Sequence, residues 1–337
     1  MGLQPGGQTQ QVPADFTLKL PVPRDLVVPR PVDPRGRQGP TRGQARGSQW
    51  RRCAPGLYVP AATATTVEQR VLEQSARLGT GAVTGWAALR WWGAAFFDGL
   101  APDGRTPLPV PLLAGTDRLR PGAGVVVQRA RVALADVVLR GGVRVVGAQR
   151  ALLDEARRHV PAPGTGLEAW EEALDEAAVS LSMAFGARVC SAAGLRDWLG
   201  PRRGVRHKGF VLAALARSVD DARSPMEVRL LRRWLRESEL AVPLRNPVVR
   251  DLDGAFVGMP DLLDVELGLV GEFDGEVHRS RARHTADARR HAAFRGVGLE
   301  YVEFVGADLR TPGLVGRRLR EAAGRCRPEL HRFVVVQ

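Results

Sequence analysis

The sequence predicts a mixed α+β chain, with α/β character in its last third. Three observations carry that expectation. Helix-period and strand-like segments alternate, separated by Gly/Pro/Asp turns. The last third reads in the order α-β-β-β-α-β-α. The chain is 337 residues long and 44 % hydrophobic, enough to build a core and long enough for two domains.

Composition excludes several classes. The formal net charge is +13, and nearly all the cations are arginine, since Lys19 and Lys208 are the two lysines. With 38 Gly and 24 Pro, this fits either a GC-rich codon bias or nucleic-acid binding. Cys53, Cys190 and Cys326 are too scattered for a disulfide framework or a CxxC zinc site, and suit a reducing cytoplasm. No run reaches the roughly 18 apolar residues of a membrane span. The Gln/Pro/Gly-rich N-terminus lacks the apolar core of a signal peptide. A cytoplasmic protein without membrane contact is expected.

The elements follow in order. Residues 1–47, rich in Pro, Gly, Gln and Arg, read as a basic, disordered tail that is either simply solvated or grips phosphate. A mixed α+β region is expected over 48–220. It opens on Trp50-Arg51-Arg52-Cys53-Ala54-Pro55-Gly56-Leu57-Tyr58-Val59-Pro60, a hairpin around a Pro-Gly turn. That hairpin is either plain or a wing placing Arg51 and Arg52 at a nucleic-acid backbone. Helices are expected over Thr66–Leu78 and Val83–Phe97. Trp86, Trp91 and Trp92 in the second read as core or as a base-stacking platform. Strands are expected at Leu108–Leu113, Val125–Gln128 and Val143–Val146, and helices at Ala148–Arg158, Glu168–Ala184 and Ser191–Leu199. The Glu168–Ala184 helix has an acidic outer face. Of the +13 net charge, +11 lies before residue 151.

A second domain is expected over 221–337. Ser224-Pro225-Met226-Glu227 starts a helix, with Glu227 serving either as the closing residue of a capping box or as a site carboxylate. Strands follow at Asn246–Arg250, Ala255–Met259 and Leu267–Phe273. A helix over His284–Val297, a strand over Leu299–Val305 and a helix over Asp308–Arg325 close the domain. Eight acids and no Arg or Lys lie between Asp251 and Glu276. Glu272 and Asp274, two apart at a strand end, face the same side and repel unless a cation intervenes. Asp261 can converge on them. Three oxygen donors suit Mg²⁺ or Mn²⁺, which can activate a water against a phosphodiester.

Pro260-Asp261, ten residues, then Glu272-Phe273-Asp274 resembles the PD-(D/E)xK motif of restriction-endonuclease-like nucleases. Asp274-Gly275-Glu276-Val277-His278, Asp287-Ala288-Arg289-Arg290 and Gly298-Leu299-Glu300-Tyr301-Val302 are similar to motifs of the very-short-patch-repair endonuclease branch. The resemblance spans roughly residues 224–325. It implies an α-β-β-β-α-β core and a divalent-metal DNA endonuclease acting in repair or phage defence, with no small-molecule cofactor. Asp261, Glu272 and Asp274 are the implied metal ligands and, with His278, the implied catalytic set. The motif's lysine position is Asp274 here; the resemblance implies His278 as the substitute, for acid–base work or phosphate contact, and the residues alone read equally as a surface histidine in a polar turn. Glu227, Asp287 and Arg290 are implied supporting residues. Arg279, Arg281 and Arg283 either meet the DNA backbone or offset the acids.

More loosely, Gly56–Pro60, Thr84–Leu89, Gly142–Val146 and Arg150–Asp154 resemble actinobacterial proteins related to abortive-infection type IV antitoxins. That implies a DNA-binding module and a cognate toxin or defence-system protein as partner. Residues 39–49 hold too little apolar sequence for the two helices of a helix-turn-helix, so of that motif only the wing-like hairpin is legible. The alternative function is therefore an inactive nuclease-fold regulator or antitoxin-like protein that binds DNA.

Overall fold

The computed structural model describes residues 25–130, 133–274 and 281–336; at 134 and 281–288 it describes the backbone alone. It is a mixed α+β protein, and among the described residues no helix is long and apolar enough to cross a membrane. The chain divides into two compact units. The first runs to Ala151 and includes Gly186–Cys190; the second comprises Leu152–Phe185 and Ser191–Gln337.

The first unit starts with a three-stranded antiparallel sheet ordered β1-β3-β2: β1 (Arg30–Pro31), β2 (Trp50–Ala54) and β3 (Leu57–Pro60). The hairpin around Pro55-Gly56 forms as expected, with Gly56 at φ +74°. Residues 25–47, which composition marks as tail, are folded. The Asp33 carboxylate accepts the N–H groups of Arg35, Arg37 and Gln38 at 2.8–2.9 Å. The side-chain amide of Gln69 ties Val27 down through both its N–H and its C=O.

Helix α1 (Val67–Ser75) is capped by the Thr66 hydroxyl, which accepts the Gln69 N–H at 3.1 Å. The expected Val83–Phe97 helix is shorter. Ala82–Val83 form β4, and α2 (Gly85–Trp92) ends where Gly93 turns left-handed at φ +107°. Strands β5 (Val110–Leu113), β6 (Val125–Gln128), β7 (Val137–Arg140) and β8 (Val143–Val146) complete a five-stranded sheet ordered β6-β5-β4-β8-β7. Of the three tryptophans of α2, Trp86 and Trp91 are core residues and Trp92 is half-buried. Their indole N–H groups donate to the carbonyls of Pro109, Arg140 and Val146 at 3.0, 2.7 and 2.8 Å.

Helix α3 (Ala148–Arg157) carries the chain from the first unit into the second. Then come α4 (Leu167–Gly186), α5 (Ala192–Leu199), α6 (Lys208–Arg217), which the sequence reading misses, and α7 (Pro225–Glu237). The unit boundary lies inside α3 rather than near residue 220, because α4 is bolted to α7 by ions. Asp175 receives Arg217, Arg232 and Arg236 at 2.8–3.1 Å, and Glu176 pairs with Arg229 at 2.7 Å. The acidic face expected to point outward faces arginines instead. Asp175→Asn strands three partly buried guanidinium groups and is expected to cost about 2 kcal/mol. A urea midpoint equal to the parent's contradicts this.

The rest of the second unit is built on a four-stranded sheet ordered β14-β13-β12-β9. Its strands are β9 (Leu244–Arg245), β12 (Leu262–Asp264), β13 (Leu269–Phe273) and β14 (Glu300–Phe304). β10 (Val248–Asp251) and β11 (Phe256–Gly258) are the expected hairpin. They leave this sheet and pair with β15 (Phe333–Val336) in a second one. The central sheet takes β12 in their place, a strand that the sequence reading treats as part of an acidic run. Helix α8 (Arg281–Gly296) is the crossover that makes β13 and β14 parallel.

Alternation sends the sheet's side chains into two cores. Leu262, Leu269, Val302 and Phe304 meet α7, α9 (Gly306–Arg310) and α10 (Leu314–Ala323). Leu263 and Val270 meet Phe294 of α8 on the other face.

Candidate functional site

The site lies where β12 begins and β13 ends. The antiparallel register pairs Leu262 with Gly271, so Asp261 and Glu272 are the next cross-strand pair outward. The Asp261 carboxylate accepts the Phe273 N–H at 2.9 Å, which fixes it across the strand ends. Asn246, left-handed at φ +48°, a conformation asparagine tolerates, donates its backbone N–H to the Asp261 carbonyl at 3.0 Å. Its side-chain amide donates to Glu227 at 3.3 Å. Glu227 comes from the first turn of α7, where Ser224 accepts its N–H at 3.2 Å. Its carboxylate also accepts the Arg223 N–H at 3.4 Å. Glu227 thus starts the helix and, with Asp261, Asn246 and Arg245, lines one small cavity. Arg245 is tied to Asp221 at 2.5 Å.

Glu272 is held differently. One oxygen is in a close ion pair with Arg290, and the other accepts the Tyr301 hydroxyl at 2.6 Å. Arg290 also donates to the Met259 carbonyl at 2.8 Å. Tyr301 in turn packs at a tilt of 42° against His291, ring centroids 4.0 Å apart. Tyr301 and Asn246 are missed by the sequence reading. The signal for Tyr301 is its place on the strand parallel to β13, pointing to the same face as Glu272.

Burial pushes Asp261 up to about 6, with Glu272 adding to the rise; the Phe273 N–H, Arg290 and Arg223 oppose it. Burial and the Asp261 charge push Glu227 up as well. Glu272 is raised by burial, although Arg290 and Tyr301 favour its charged form. The Tyr301 phenol is raised strongly by burial and by Glu272.

The structure therefore brings Asp261, Glu272, Glu227 and Arg290 together. Asp274 follows directly on β13, its N–H donating to the Phe304 carbonyl at 2.8 Å. His278 and Arg279 lie outside the described residues, as do the side chains of Arg281, Arg283 and Asp287 on α8. Among the described residues, the acids of this run do not gather in one pocket. Asp251 accepts the N–H groups of Asp253 and Ala255 in the β10–β11 turn, and Asp264 accepts Leu267 N–H at the far end of β12. Among the described residues, no three His, Cys, Asp or Glu side chains stand together as a metal cage. In the first unit Arg51 is not free for phosphate. It makes a two-pronged pair with buried Glu73 at 2.8 and 3.0 Å, whereas Arg52 is exposed.

Comparison with protein-family profiles, with curated proteins and with solved structures finds no match for this chain.

Proposed function

We infer that the second unit is a restriction-endonuclease-like domain that hydrolyses DNA phosphodiester bonds with Mg²⁺ or Mn²⁺, in repair or phage defence. One observation supports this above the others: Asp261 is opposed to Glu272 across two strand ends and shares a cavity with Glu227. Burial pushes Asp261 and Glu227 toward protonation, with Glu272 adding to the first and Asp261 to the second, an electrostatic demand that a divalent cation meets. Mg²⁺ keeps most of its waters and takes one or two carboxylates plus substrate phosphate, so Asp261 with Glu227 fits its minimal requirement without a three-acid cage. When bound, the ion polarises the phosphodiester and acidifies a water. Glu272, filled by Arg290 and Tyr301, then serves as the anchor that aims the Arg290 guanidinium. His278 is assigned to proton transfer.

The filled oxygens of Glu272 favour a second reading: a nuclease scaffold without chemistry, acting as a DNA-binding regulator or antitoxin-like protein with a cognate toxin. The two separate on supercoiled plasmid. The full chain is expected to nick it with Mg²⁺ or Mn²⁺ and not with EDTA, and Glu227→Gln to slow nicking roughly 10- to 100-fold. DNA retention without cleavage in either metal supports the regulator. Absence of DNA binding removes both readings.

A further inference from the structure

The small sheet of the first unit has two unlike faces. Inward, Val59 is fully buried, and its cross-strand partner Arg51 turns to Glu73 on α1. Outward, the register aligns Arg30 of β1, Tyr58 of β3 and Arg52 of β2 in one row across all three strands. Trp50, paired with Pro60, lies two residues further along the same face. Arg30 and Arg52 are exposed, and Tyr58 and Trp50 are half-exposed. The loop joining β1 to β2 adds exposed Arg35, Arg37, Arg42 and Arg46. Residues 25–60 hold seven arginines against two aspartates, Asp25 and Asp33.

We propose that this face binds single-stranded nucleic acid, bases stacking on Tyr58 and Trp50 and phosphates held by Arg30 and Arg52. Diagonal neighbours on adjacent strands stand roughly 7–8 Å apart, so the two rings form adjacent platforms for successive splayed bases. A duplex hides its base faces and has no use for half-exposed rings on a sheet. Arginine supplies both the phosphate contact and additional stacking. The inward turn of Arg51 leaves the outward row with the phosphate contact. This binding stands whether or not the second unit cuts DNA, and the test is run in EDTA to keep the two apart.

The test is fluorescence anisotropy of the full chain with a labelled 20-nucleotide DNA strand, the same sequence as RNA, and the corresponding duplex, from 50 to 200 mM salt. One or both single strands are expected to bind at least about tenfold tighter than the duplex. Tyr58→Leu is expected to weaken single-strand binding by about 5- to 150-fold at an unchanged salt slope. The exposed pair Arg30→Gln/Arg52→Gln is expected to flatten the slope of log K against log salt by about 1.4. Because those two side chains are exposed, that variant keeps the fold, which a thermal melt verifies. Duplex binding as tight as the tighter-binding of the two single strands overturns the proposal. So does an Arg30→Gln/Arg52→Gln chain with unchanged affinity and slope.

Discussion

An Asp261→Asn chain is expected to lose metal-dependent nicking altogether while becoming more stable than the parent at pH 7. Both effects come from one side chain. The carboxylate is a proposed metal ligand, and its charge sits beside Glu227 and Glu272 in a site where burial raises its pKa to about 6. A carboxyl whose folded pKa lies above its unfolded value of about 3.9 binds its proton more tightly in the native state. Its contribution to stability is complete below pH 4 and is lost as pH rises through 6. The full loss is up to about 3 kcal/mol, at 1.36 kcal/mol per pKa unit. Asparagine accepts the same Phe273 N–H without the charge, so this share of the loss is absent from the variant, while the shares carried by the raised Glu227 and Glu272 remain in both chains. The measurement is the difference in urea midpoint between parent and variant from pH 4 to 7.5 without metal. It is expected to be near zero at pH 4 and to favour the variant by pH 7. A difference that stays flat refutes the buried-charge account. Adding Mg²⁺ at pH 7 should raise the parent's melting temperature and leave the variant's where it was, because binding to the native state alone stabilises it.

Much of this site is legible in the amino-acid sequence. Alternation and spacing mark Glu272 and place Asp261 near it, and the family resemblance adds Arg290; that Asp261 is the cross-strand partner of Glu272 needs β12. What was not legible depends on pairing partners far apart in sequence. β12 is three residues long and flanked by acids, and nothing local separates it from a charged turn. Its identity comes from pairing with β13 on one side and β9 on the other. The β10–β11 hairpin reads as central because its turn is strong, yet its sheet is decided by β15, more than 70 residues later. The acidic run misleads for a local reason. Asp251 and Asp264 cap turns, a use of aspartate that composition cannot tell from a ligand cluster. Arg51 and Arg52 show the same limit on two adjacent residues. Alternation puts them on opposite faces, but only Glu73, on another element, shows which face is inside.

Trp234→Ala is expected to destabilise the second unit by about 3–5 kcal/mol. Trp234 is fully buried on α7, and its indole N–H donates to the Ala241 carbonyl at 3.1 Å. Its ring lies over Gly271 in the middle of β13, where an added Cβ would stand 3.0 Å from it. That explains a glycine inside an otherwise apolar strand: the sheet leaves out a side chain to admit the indole. The same fit makes the cavity hard to close, since the facing residue has no side chain to collapse into it. Gly271→Ala alone is expected to destabilise, because ring and sheet must part by a few tenths of an ångström. In the Trp234→Ala background the same methyl fills part of the void and is expected to stabilise. The two effects therefore differ in sign, a coupling that a double-mutant cycle reads from four urea midpoints. Additive effects would mean that the indole does not rest on Gly271. Because β13 carries both Gly271 and Glu272 on its opposite faces, this packing also sets the strand from which Glu272 reaches Arg290 and Tyr301. A chain carrying Trp234→Ala should therefore lose site geometry together with stability, whereas Asp261→Asn separates the two.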